Sequence, residues 1–315
     1  MRNELSAVVA AIRAQPWAII PEYLAAIEAI AARALDADVL EMLRRDGHEA
    51  SIGGSWSALA AVGERLEGTS RSTHRDGAAV IPMLGAIFPR SSMISASADG
   101  TSLDSMMRDM RVAQSSERID RIVLLVDSPG GVVSGLGEAA DAIQSSSKPV
   151  TAFVTGQCAS AAYWLSSQAG EIVMDRSAYA GSLGVVATIS RQEAPGADGR
   201  RSYEIVSSGA PHKRADPSTE EGRAALQADV DAMEAVFFAD VARGRKVSLE
   251  TVRSEFGKGG MLAAEAAIKA GMADRIGTLE SVLSAKSGRT RMNTGGRRAL
   301  AAAEVDLRLR AAQGV

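Results

Sequence analysis

The sequence predicts an α/β protein built on a largely parallel sheet. Between Ala78 and Gly277, apolar runs of strand length alternate with stretches of helical periodicity. The strongest run, Arg121-Ile122-Val123-Leu124-Leu125-Val126-Asp127, is apolar throughout rather than at every second position. Unbroken runs of this kind belong to strands covered on both faces, as parallel strands flanked by helices are. Aromatic residues are only 4% of the chain against 46% hydrophobic residues in all, so the core has to be aliphatic and closely packed.

The elements follow in order. The first segment, to about Asp36, reads as helical: Pro21 and Glu22 open a run in which Leu24, Ile27, Ile30 and Ala31 recur at helical spacing. From about Asp46 to Asp76 the chain is rich in Gly, Ser and charge with weak periodicity, which reads as a linker. Ala79–Gly85 reads as a buried strand. Thr101 or Ser102 can cap a helix through Arg111, with Leu103, Met106, Met107 and Met110 on one face. After the 121–127 strand the turn Ser128-Pro129-Gly130-Gly131 leads to a helix over Ser134–Ser145. Pro149–Val154 reads as a strand, Cys158–Gln168 as a short helix, and Ile172–Met174, Leu183–Ser190 and Tyr203–Val206 as strands. A long helix follows from Ser218 to Arg243, with Leu226, Val230, Met233, Val236 and Phe237 in phase, and one short helix lies beyond Gly277. The resulting division is a helical N-terminal extension (1–45), a linker (46–77), an α/β domain (78–285) and a basic tail (286–315). The tail's Arg289, Arg291, Arg297 and Arg298 read most simply as solvated chain.

Charge and composition exclude several function classes. The formal net charge of −3 provides no global basic field for nucleic acid. The one cysteine, Cys158, can form no intrachain disulfide, which suits a reducing compartment. The apolar run Ala7–Ile12 is short and flanked by Glu4 and Arg13, unlike a secretory leader, and no stretch of eighteen apolar residues occurs. The expectation is a cytosolic protein that holds to no membrane and needs no cofactor or metal.

Four short segments carry chemistry. In Asp127-Ser128-Pro129-Gly130-Gly131-Val132, a glycine pair after a buried strand lets adjacent N–H groups face one point, as an oxyanion site needs; alone, it is an ordinary turn. In Gly156-Gln157-Cys158-Ala159-Ser160-Ala161-Ala162-Tyr163-Trp164, a serine among small residues opens a helix, either as a nucleophile within reach of an extended peptide or as a helix cap. Gly181-Ser182-Leu183-Gly184-Val185 is turn-like. Ser207-Ser208-Gly209-Ala210-Pro211-His212-Lys213-Arg214 carries a lysine that elsewhere would be a solvated charge.

Taken in this order, the four segments resemble the S49 family of serine peptidases, which includes the signal peptide peptidase A proteins and the head-maturation proteases of tailed phages. The resemblance spans about Ala78 to Gly277. It implies a ClpP/crotonase-like spiral of ββα units, with Ser160 as nucleophile, Lys213 as general base, Ser182 as the hydroxyl holding the lysine amine, and Gly130, Gly131 and the N–H of Ala161 as the oxyanion hole. Where the family usually follows its nucleophile with Gly-Gly or Ala-Gly, this chain has Ala161-Ala162, which narrows the local space. A Ser–Lys dyad is coherent chemistry. A serine hydroxyl needs a base to take its proton, and a lysine, ordinarily titrating near about 10.4, serves once burial favours its neutral amine. Cys158 as nucleophile and His212 as base are the competing assignments.

The opening Gln15-Pro16-Trp17-Ala18-Ile19-Ile20-Pro21-Glu22-Tyr23-Leu24 is similar to that of the phage-type members; it is equally a Trp17 packing anchor before a Pro-initiated helix. The resemblance therefore implies a homo-oligomeric serine endopeptidase acting on phage scaffold, portal or capsid precursors, within assembling proheads in the host cytosol. The alternatives are a cytosolic housekeeping peptidase of the signal-peptide-peptidase type, an acyl-CoA enzyme of the crotonase class, and a scaffold without activity.

Overall fold

The computed structural model describes residues 16–20, 62–90, 100–189 and 205–285. Its centre is a parallel stack of four strands: β4 (Ala78–Leu84), β7 (Arg121–Ser128), β9 (Val150–Ala159) and β10 (Glu171–Met174). Side chains of each strand alternate between two apolar layers. Ile81, Ile122, Leu124, Val126, Ala152 and Val154 enter the larger layer, while Val80, Val123, Leu125 and Phe153 enter the smaller one. Both faces are thus apolar, which is why the 121–127 run shows no alternation.

Helices cover the larger layer. α1 (Leu103–Ser115) is capped by Ser102, whose hydroxyl accepts from the Ser105 N–H, and it buries Leu103, Met106 and Met110 as the spacing predicts. α2 (Leu136–Gln144), α3 (Ala161–Ser166) and the C-terminal half of α4 (Glu220–Arg245) complete that side. The smaller layer is closed by α7 (Leu279–Leu283), through Val282 and Leu283. Between α4 and α7 come α5 (Leu249–Glu255) and α6 (Ala264–Ala270). Four-strand parallel pairing with these helices against it is the ClpP-like α/β fold that the resemblance implies.

Several expectations are corrected. Trp17–Ile19 in the N-terminal extension forms a strand, β1, rather than helix. Gln15 and Ile20 precede prolines, which disfavours helical backbone at both; the other calls on residues 1–61 fall outside the described residues. The expected linker carries two short strands, β2 (Glu64–Arg65) and β3 (Thr73–Arg75), paired in a hairpin that adds to β4. Their residues are polar throughout, so they give no apolar signal. β9 runs five residues past its expected end to Ala159, so the helix starts at Ala161. Leu183–Ser190 forms no strand among its described residues apart from a bridge at Val186, because Ser182 and Gly184, at φ 54° and 145°, break the extended path. Ile205 and Val206 are likewise outside any strand, and Ile205 is 96% exposed. Tyr203 and Glu204, and the tail from 286, lie outside the described residues.

One irregularity positions the site. The β7–β9 register shifts between Val126, opposite Val154, and Ser128, opposite Cys158. The surplus residues of β9 form a bulge held by Asp127, whose carboxylate accepts the Gln157 N–H at 2.9 Å. Beyond the bulge β9 changes partner, from β10 to β11 (Tyr179–Gly181), which continues to β12 (Met261–Ala263). Bulges re-aim the strand that carries them, and this one turns the end of β9 toward a second small sheet of β1, β8 (Gly130–Val132), β5 (Ile87–Phe88) and β6 (Thr101–Ser102).

Candidate active site

Ser160 stands at the junction of β9 and α3 with φ 53° and ψ −116°, a conformation that residues with a side chain rarely adopt. Such strain costs about 1–3 kcal/mol and persists only where surrounding contacts impose it. Here the Ser160 N–H donates to Gly181 O at 2.8 Å, and Ser160 O accepts the Trp164 N–H at 2.9 Å as the first bond of α3. Trp164 is in turn fixed by stacking on Phe237 and by donating to Asp240 at 2.8 Å. Ser160 Oγ lies 3.4 Å from Gly184 O, and the residue is 1% exposed.

The glycine pair abuts this serine. A Cβ on Gly130 would stand 3.0 Å from Ser160 Cβ and 3.1 Å from Ala159 O, and Gly130 has φ 103°. A Cβ on Gly131 would stand 2.0 Å from Ile87 O. Both positions therefore need glycine. Ser128 holds the turn: its hydroxyl donates to Gly85 O at 2.7 Å and accepts the Gly130 N–H at 3.2 Å. Gly131 faces Ala18 of β1 in register. Ala161 opens α3, so its N–H is one of the first-turn donors without a partner inside the helix.

Ser182 follows Gly181, which pairs with Ala159 in the parallel β9–β11 ladder, so the two serines leave adjacent strand ends side by side. Its own φ is 54°, and its N–H donates to Gly260 O at 2.8 Å. Lys213 is placed differently. It lies exposed in a 3-10 turn, Pro211–Arg214, with its N–H on Ala210 O. Its ammonium makes no hydrogen bond to Ser160 or Ser182 among the described residues. Ile205, Val206, Ser207, Lys213 and Arg214 together line a hollow open to solvent. The structure thus gathers Ser160, Ser182, Gly130, Gly131 and Ala161, and shows Lys213 exposed on its own turn without a hydrogen bond to either serine. The His212 side chain lies outside the described residues.

Cys158 is fully buried, and burial pushes its thiol up to about 12, the neighbouring Ser166 hydroxyl offsetting this only in part. A buried, protonated thiol is a poor nucleophile at neutral pH, which favours Ser160 over Cys158. Two contributors escaped sequence reading: Ser128, which orders the glycine turn, and β1, which lies against it. Prolines on both sides of a short apolar run were the available signal for β1.

The Peptidase family S49 model matches residues 142–291, and the Clp protease model matches residues 83–180. The chain is 27% identical over 206 residues to "Capsid assembly protease C" of Escherichia phage lambda, covering 64% of this chain and 46% of that protein. It is 25% identical over 286 residues to "Head-tail preconnector protein GP5" of Enterobacteria phage P21, covering 88% and 56%. It is 25% identical over 189 residues to "Protease 4" of Haemophilus influenzae, covering 57% and 30%. The chain spans about half the length of the two phage proteins.

Proposed function

We propose that this chain, a relative of the S49 peptidases, is a serine endopeptidase of phage head maturation with Ser160 as nucleophile. The observation that carries this reading is a strained serine at a strand-to-helix elbow, with the Gly130–Gly131 turn against it and Ser182 beside it. In the cleavage step Ser160 Oγ attacks the scissile carbonyl carbon while Lys213 Nζ takes its proton. The N–H groups of Gly131 and Ala161 receive the developing oxyanion. Collapse expels the amine, which takes the proton from Lys213, and water then releases the acyl group by the same sequence in reverse. Ser182 orients the amine.

Because Lys213 is exposed and makes no hydrogen bond to Ser160, the dyad closes when the 205–214 loop folds over the serine. Exposed apolar residues lie near in sequence to this loop and to the Gly-Ser-Leu-Gly turn: Val186, Ile189 and Ile205 are 38%, 47% and 96% exposed. Burying them against further copies of the chain would stabilise the closed loop, so the working form is a homo-oligomer. The substrates are phage structural proteins, as the names of the two phage relatives suggest.

The test is co-expression with the scaffold, portal and capsid proteins encoded nearby. Active chain shortens at least one of them, and neither Ser160→Ala nor Lys213→Met does. If none is cut while unfolded peptides are degraded readily, the relationship to Protease 4 points instead to a housekeeping peptidase. Mixing the Ser160→Ala and Lys213→Met chains reads the assembly: restored cleavage places serine and base on different copies.

A further inference from the structure

On the peptidase reading above, we propose that the chain's own segment Pro16–Ile20 occupies the groove in which a substrate peptide is held. β1 runs antiparallel to β8, the strand that carries the glycine turn, with Ala18 opposite Gly131 and Ile19 opposite Gly130. Its other edge is also paired. The Trp17 N–H donates to Val186 O at 2.9 Å, and the Val186 N–H donates to Trp17 O at 2.8 Å, just beyond the Gly181–Gly184 turn that holds Ser182. Both ends are fastened to the β8 side: the Val133 N–H donates to Pro16 O at 3.2 Å, and the Ile20 N–H donates to Pro129 O at 3.0 Å. An extended segment clamped between two edges, its backbone bonded alternately left and right, is strand addition, the mode by which proteins hold peptide ligands.

The segment also lies close to the nucleophile. Ala18 O and Ser160 Cβ lie 2.1 and 3.0 Å from one point, the position a Cβ on Gly130 would take. Trp17 and Ile19 are 1% and 3% exposed, and Trp17 meets Phe88 edge-on at a centroid distance of 6.2 Å. A serine that must receive a peptide is itself only 1% exposed, and a peptide-like strand lies against the glycine beside it. The groove is therefore self-occupied, and a substrate must displace Pro16–Ile20 to reach Ser160.

Trp17 and Val186 are a bonded antiparallel pair, whose Cα separation of about 5.5 Å suits a disulfide. The full-length chain carrying Trp17→Cys, Val186→Cys and Ser160→Ala is titrated with a fluorescein-labelled peptide of the sequence Gln15–Glu22. Reduced chain binds the probe at least about tenfold more tightly than oxidised chain, because only the reduced form can vacate the groove. Equal affinity in the two forms, or no binding in either, overturns the proposal. Should the paired cysteines disturb folding, amide exchange in the Ser160→Ala chain gives a second reading. Excess free peptide speeds exchange at Trp17 and Val186; unchanged exchange at saturating peptide overturns the proposal. Neither measurement requires catalysis. A chain that cleaves nothing in a Ser160-dependent way sinks the peptidase reading alone, while these measurements still decide the occupancy.

Discussion

Gly130→Ala and Gly137→Ala are the same substitution in two environments, and the structure predicts opposite signs. At Gly130 a Cβ would stand 2.1 Å from Ala18 O and 3.0 Å from Ser160 Cβ, on a backbone with φ 103°. Backbone must shift, because the nearest atom is a carbonyl oxygen rather than the end of a flexible side chain. The left-handed backbone costs about 1–2 kcal/mol for a residue with a Cβ, and overpacking adds about 1–3 kcal/mol. A loss of about 3 kcal/mol corresponds to about 6–12 °C in Tm for a domain of this size. Gly137, by contrast, lies inside α2 with nothing within 4 Å of its Cβ position. Alanine there removes the flexibility penalty of a helical glycine and stabilises by about 0.5–1 kcal/mol. Thermal unfolding of both variants, with a Ser160-dependent peptide assay, reads the pair. Gly130→Ala melts lower and is inactive; Gly137→Ala melts slightly higher and cleaves normally. A Gly130→Ala chain with unchanged Tm and cleavage would refute the close packing of β1, the glycine turn and Ser160.

Lys213→Arg fails to restore cleavage, because a guanidinium stays charged and cannot accept the Ser160 proton; substantial turnover in this variant removes lysine as the base. Ser182→Ala lowers turnover without abolishing it, and a rate equal to that of the unvaried chain removes Ser182 from the site. Cys158 resists iodoacetamide in the native chain at pH 8 and reacts once the chain is unfolded, and Cys158→Ala retains most cleavage. The same thiol sets a pH dependence of stability. Its folded value of about 12 lies above the unfolded value of about 8.5, so its contribution is complete below about pH 8.5 and is lost as pH rises toward 12; equilibrium denaturation across that range shows the loss, and Cys158→Ala removes it. Asp240→Ala leaves the buried Trp164 N–H without its acceptor and lowers stability by about 2 kcal/mol, with a change in tryptophan fluorescence; an unchanged melt and spectrum would contradict the bond.

Legibility in the sequence followed apolar content. β4, β7, β9 and β10 announced themselves because each is buried on both faces, and α1 because its cap and methionines are in phase. The β2–β3 hairpin did not, since Glu64 and Arg65 face solvent and the strands borrow stability from the edge of β4. The stretch 183–190 misled for the converse reason: it is largely apolar, but the positive φ of Ser182 and Gly184 breaks the extended path, and among the described residues only Trp17 bridges to it. At the site, Ser160, Ser182 and the glycine pair were named through the resemblance carried by four motifs in order, since each motif alone reads as an ordinary turn or helix cap. The position of Lys213 was not readable, since a loop lysine carries no local pattern that fixes its distance from a serine elsewhere. β1 is too short to show any period, and its partners lie far along the chain.

That remoteness governs the order in which the molecule is made. Trp17 leaves the ribosome well before its bonding partners, the 130–132 strand and Val186, are synthesised. Pairings between distant parts of a chain carry the largest loop-closure cost and form late. The parallel core, whose paired strands lie much nearer one another in sequence than Trp17 lies to its partners, can consolidate first, and the β1 strand settles onto an already built surface. A nascent or freshly refolded molecule therefore passes through an interval in which Ser160 is formed and uncovered, before its own chain closes over it.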